Sequence, residues 1–140
     1  MQRQAGLDEL LGRGEPHATF HDGELLSIRI DHEAGELVAT WRLCVGNPGA
    51  ADKAERERTR QGLLTLGGLL FWCEAPPAVL ESNAGSPWLT ANGPLAESPT
   101  AEGQELAKRL PEGVAGWYMY FSNRNAYAYC AAKSLGFQWV

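Results

Sequence analysis

The sequence predicts a mainly β protein, a single domain over residues 1–140 with one antiparallel sheet, curled or partly barrel-like, and one or two short helices. Three observations lead there. Apolar residues alternate with period two in several separate stretches. Clusters of Gly, Asn, Asp and Pro divide those stretches at short intervals, as turns between antiparallel strands require. Where helical spacing does occur, it lasts only a few turns.

Taken in order, Leu7, Leu10 and Leu11 fall at helical spacing before Gly12 and Gly14, which predicts a short helix packed on the sheet. From Glu24 the period becomes two, with Leu26, Ile28 and Ile30 on one face and Ser27 and Arg29 on the other. Asp31 and Gly35 supply the turn. Leu37, Ala39, Trp41, Leu43 and Val45 then resume the alternation, so the two segments form a hairpin. Residues 46–49 (GNPG) stop the second strand, and AADKAERERTR after it is polar throughout, an exposed connection with no apolar stripe to hold a helix to a core. GLLTLGGLLFWC (62–73) is apolar on both faces, as in a central strand covered from two sides, with Gly67-Gly68 marking a bulge or a close backbone approach; a buried helix is the alternative.

Five of the eight prolines fall within residues 75–100, a long irregular excursion with a short strand at 88–90 ended by Asn92-Gly93. Ser98 reads as an N-cap and Pro99 as the first residue of a helix over 99–109, with Glu102 and Glu105 early and Lys108 and Arg109 late, the order a helix dipole favours. A second hairpin follows. Trp117, Met119 and Phe121 alternate with Tyr118 and Tyr120, the chain turns at 122–125, and Tyr127 and Tyr129 continue it. Residues 133–136 read as one more turn, after which Leu135, Phe137 and Trp139 make a paired terminal strand.

Composition narrows function mainly by exclusion. Hydrophobic residues at 44% and charged residues at 21% are ordinary globular usage, which argues against a disordered chain. The first residues carry acids and arginines where a signal peptide needs an apolar core, and no apolar run is long enough for a bilayer, so a cytoplasmic location without membrane contact is expected. Cys44, Cys73 and Cys130 form no CxxC pair and read as buried thiols. A net charge of -5 argues against nucleic acid, which needs a basic stripe. That charge is concentrated. Residues 1–36 hold eight acids against Arg3, Arg13 and Arg29, whereas the rest of the chain is balanced, so a basic protein is the partner this end would attract.

His17, His21, Asp22 and Glu24, with Asp31, His32 and Glu33 beyond the first strand, include donors that suit a transition metal, but no closed ligand spacing occurs and no metal or cofactor is expected. His21 beside Asp22 or Glu24 has the residue types for acid–base chemistry. In an extended segment, however, His21 and Asp22 point to opposite faces, which leaves Asp22 and Glu24 as the closer pair. The aromatic residues make the other candidate surface: Trp88 in its loop and Tyr118, Tyr120, Arg124, Tyr127 and Tyr129 on the second hairpin are of the types enriched where proteins bind one another. Core packing on one face and cross-strand ladders on the other are the ordinary use of such residues.

The stretch FHDGELLSIRID (20–31) resembles the first hairpin of a group of small bacterial proteins of unknown function with an HDxxLxSIxxD-type signature, some of them similar to immunity proteins of toxin systems; residues 55–68 and the final FQW fit the same impression. The resemblance implies a small antiparallel β domain that binds a protein, and it brings no catalytic residues. The expected function is therefore a non-enzymatic protein-binding module, immunity-like, engaging a basic partner or a second copy of itself. A small enzyme or ligand-binding protein, with a pocket near the 75–100 loop and the His21, Asp22 and Glu24 segment, is the competing expectation.

Overall fold

The computed structural model describes residues 6–78 and 85–140. Strands β1 (Thr19–Asp31), β2 (Glu36–Cys44), β3 (Thr59–Glu74), β4 (Leu89–Pro94), β5 (Ala115–Phe121) and β6 (Ala126–Trp139) form one antiparallel sheet in the order β1-β2-β3-β6-β5-β4. Helices α1 (Lys53–Arg56) and α2 (Ala101–Lys108) and 3-10 turns at Leu7–Leu10 and Leu95–Glu97 lie around it. The mainly β, curled sheet read from the alternation is the architecture observed.

Stagger explains the curl. The first half of β3, up to Gly67, pairs with β2, while the first half of β6, up to Ala132, pairs with β5. Because β3 and β6 run antiparallel, the β1–β2 hairpin and the β4–β5 pair are attached at opposite ends of the long β3–β6 ribbon. Offset sheets of this kind coil, and here the outer edges of β1 and β4 come together, with Glu24 bridging to Trp88.

The concave face holds the core. Leu37, Ala39, Trp41, Leu43 and Val45 of the predicted second strand and its end are fully buried. Trp41 spans the interior, edge-on to Phe20 of β1 at 5.3 Å and stacked on Phe121 of β5 at 6.5 Å between ring centroids. Leu7 and Leu11 cap this core from the short N-terminal helix their spacing predicts, which takes the 3-10 form. Asp8 fastens it, accepting from the Phe20 backbone N–H at 2.8 Å and the Thr19 hydroxyl at 2.9 Å.

Several predicted details are corrected, the first by a single-residue shift of register. In β1 the register slips between Leu25 and Ser27, so Leu25 joins Ile28 and Ile30 opposite the buried Trp41, Ala39 and Leu37, and Leu26 is the extra residue. The 62–73 segment is strand and not helix, but it is buried on one face only, at Leu64 and Leu66. Gly68, at φ 58°, makes the expected close approach, since a Cβ there would meet the Lys133 side chain at 2.9 Å; the register shift falls between Leu69 and Phe71 instead. Opposite Gly68, the expected turn at 133–136 does not form. β6 runs through it, and the change of phase from Ala132 to Leu135 that reads as a turn is matched by the change on β3 from Leu66 to Leu69.

The connection after β2 is not wholly irregular, because Asp52 accepts from the Ala54 N–H and starts the one-turn helix α1. Within the proline-rich stretch, β4 runs through Asn92-Gly93 to Pro94. Gly93 is there for space: a Cβ would come within 2.9 Å of the Tyr118 ring on β5. Thr100, not Ser98, caps α2, accepting from Gly103 N–H at 3.1 Å, while the buried Ser98 hydroxyl sits 2.9 Å from that of Thr100. Among the described residues no helix is long and apolar enough to cross a membrane.

Candidate functional site

Two surfaces collect the candidate residues. The first is the seam where the outer edges of β1 and β4 meet. Leu25 N–H donates to the Pro87 carbonyl at 2.9 Å, and Ser122 N–H donates to that of Trp88 at 3.2 Å. The β5–β6 turn holds the proline-rich loop in place from below: Asn123 receives the Trp88 N–H and donates to the Ser86 carbonyl, and the Arg124 guanidinium donates to the Gly85 carbonyl. Arg124 is therefore a tether for the loop carrying Trp88, while the Trp88 side chain itself remains 49% exposed.

His21 and Asp22 lie on the β1 edge of the same seam. His21 Nδ1 is 2.9 Å from the Thr90 carbonyl, and since a carbonyl only accepts, that nitrogen carries a proton. Nε2 then faces Asp22 Oδ2 at 3.6 Å, with both side chains well exposed. The expected separation of the two is overturned. Asp22 has φ 63°, inside a register shift between Thr19 and Glu24, and this turns its carboxylate toward His21. The expected Asp22–Glu24 pair gives way to Glu24 with Arg42 at 3.2 Å. His32 and Glu33 sit in the far turn of the hairpin, and among the described residues no three His, Cys, Asp or Glu side chains converge as a metal site would need.

The second surface is the outer face of β5 and β6. Tyr118, Tyr120, Tyr127 and Tyr129 form a ladder there, Tyr127 lying 4.8 Å from Tyr120 and stacked on Tyr129 at 6.2 Å between centroids. It follows directly from the alternation, with Trp117, Met119 and Phe121 turned into the core between these tyrosines. Tyr120 donates to Asn125 Oδ1 at 2.6 Å, and the Tyr129 hydroxyl meets that of Thr100 at 2.6 Å. Burial, followed by the nearby Glu102 charge, pushes the Tyr129 phenol up, partly offset by the Thr100 hydrogen bond. A hollow of about 280 Å³ opens where the ladder meets the start of α2, beside the proline-rich loop; Tyr127, Tyr129, Glu102 and Pro76 are among its lining.

Much of the acidity of residues 1–36 is committed internally, which sequence alone does not reveal. Besides Asp8 and Glu24, Glu15 takes both Arg58 and Arg60 at 3.2 Å, and the Arg58 hydrogen bond is the chief reason its carboxyl lies below the usual range. Arg60 also lies over the Trp139 ring at 5.2 Å. The thiols divide similarly. Cys130 is buried and pushed up to about 12, Cys44 is raised by burial and by Asp22 and Glu24, and Cys73, expected to be buried, is exposed.

The fold and these surfaces together describe a curled antiparallel sheet that presents aromatic side chains beside acidic ones. Comparison with known protein families, curated proteins and solved structures finds no match.

Proposed function

We propose that this protein is a non-enzymatic binding module for a basic protein, which it engages at the β1–β4 seam. The observation that carries the reading is Trp88, a large aromatic side chain left half exposed on a tethered loop, with the exposed Asp22 carboxylate on the adjoining strand edge. An indole held in place by its backbone, with a carboxylate on the adjoining strand edge, is the arrangement expected of an interface anchor for a cationic, partly apolar surface. The resemblance of residues 20–31 to small bacterial proteins of unknown function, some of them similar to immunity proteins, supports a toxin as that partner.

Affinity capture from the native host, with wild type run beside Trp88→Ala and Asp22→Asn, tests this. The expected result is one stoichiometric basic protein, retained by wild type and lost from both variants. A partner retained equally by all three would overturn the seam as the binding surface. A concentration-dependent dimer in sedimentation, abolished by Trp88→Ala, would replace the basic partner with a second copy of the chain.

A further inference from the structure

We propose that the hollow at the start of α2 is a subsite for one basic side chain, arginine or lysine, of a protein partner; this rests on the binding-module reading and adds a contact outside the seam. At about 280 Å³ the hollow falls just below the ~300–1,000 Å³ typical of sites that enclose a drug-sized ligand, so it suits one side chain better than a cofactor. Its wall includes the rings of Tyr127 and Tyr129, and a tyrosine face attracts a cation through its quadrupole.

Charge selects the occupant. Glu102 is the one charged residue in the lining, and among the described residues no cation pairs with it. Among the side-chain oxygens of the lining, the Thr100 hydroxyl is engaged with Tyr129 and the Gly103 N–H, and Asn125 Oδ1 with the Tyr120 hydroxyl. Glu102, Tyr127 and Tyr129 line the same hollow. A guanidinium or ammonium lying on Tyr127 would pair with Glu102, which has no cation partner among the described residues, whereas an anion would meet its like charge.

The probe is the blocked tripeptide acetyl-Gly-Arg-Gly-amide, titrated into the full chain while backbone amide NMR shifts are followed, with the Glu analogue as control. Saturable shifts centred on Ala75, Ala101, Glu102, Ala126 and Tyr127 are expected for the arginine peptide alone. Glu102→Gln, at an exposed position, should weaken binding about fivefold, and Tyr127→Leu by a similar factor. Asp22→Asn should leave it unchanged. No saturable shift, shifts centred elsewhere, or undiminished binding by Glu102→Gln would each overturn the subsite. A partner retained equally by wild type and both seam variants, with this titration intact, would overturn the seam reading alone, so the two failures are distinguishable.

Discussion

The β3–β6 junction and the β1–β4 seam are both places where two parts of the sheet meet, but they are built differently. Along the junction, register is continuous from Gly62 opposite Trp139 to Gly67 opposite Ser134 and resumes beyond it, with Leu64, Leu66, Cys130 and Ala132 buried beneath. At the seam the edges touch through the Glu24–Trp88 bridge and a few hydrogen bonds to loop carbonyls, and the side chains around it, His21, Asp22 and Trp88, face solvent. Backbone pairing over a buried face yields stability. An edge held by a few contacts leaves side chains free for another molecule, which is why the candidate residues gather there and not at the junction.

The core that both regions share should be the most sensitive. Trp41→Ala removes the ring that reaches Phe20 and Phe121 across the interior, and is expected to cost about 3–5 kcal/mol in a urea titration, a large part of a small domain's stability. Deleting residues 137–140 should come next. It strips Phe137 and Trp139 from the end of the junction, for a loss of about 3 kcal/mol and a clear fall in melting temperature; an unchanged melting temperature would show that the junction does not depend on its last pairs.

Trp88→Ala, by contrast, should change stability by less than about 1 kcal/mol while abolishing partner capture. Hydrogen exchange sharpens the same contrast without mutation: the Leu25 amide, bonded across the seam, should exchange well before those of Leu64 and Leu66, and equal protection would erase the distinction.

The smallest expected effect is an acid-dependent one. Because the Arg58 hydrogen bond lowers the Glu15 carboxyl in the folded state, its stabilising contribution is complete at neutral pH and is lost as pH falls below the ordinary 4.5 and through the lowered value. Urea midpoints of wild type and Glu15→Gln should therefore differ at neutral pH and converge in acid. A gap independent of pH would remove the ion pair as its cause.

Alternation that runs unbroken was legible from residues alone. Residues 37–45 and 117–121 place each apolar side chain inward as read, and the tyrosine ladder is the other half of that same period. Legibility failed where one residue intervenes. The register shifts around Asp22 and Leu26, and the left-handed Gly68, where register is kept, each change the phase of a strand, and the last of them accompanies the apparent turn at 133–136. A phase change in one strand is ambiguous until its partner is known to change with it.

By itself, then, the sequence determined the β character of the chain, the two hairpins and the inner faces of β2 and β5, because side-chain alternation is a local property of extended backbone. Only the tertiary structure decided that β1 and β4 meet, that Asp22 turns to His21 and Glu24 to Arg42, and that Asp8 and Glu15 serve as internal anchors while Glu102 lines a hollow with two of the tyrosines. These pairings join residues far apart in the chain or depend on a left-handed backbone at one position, and register, not local preference, settles which groups meet.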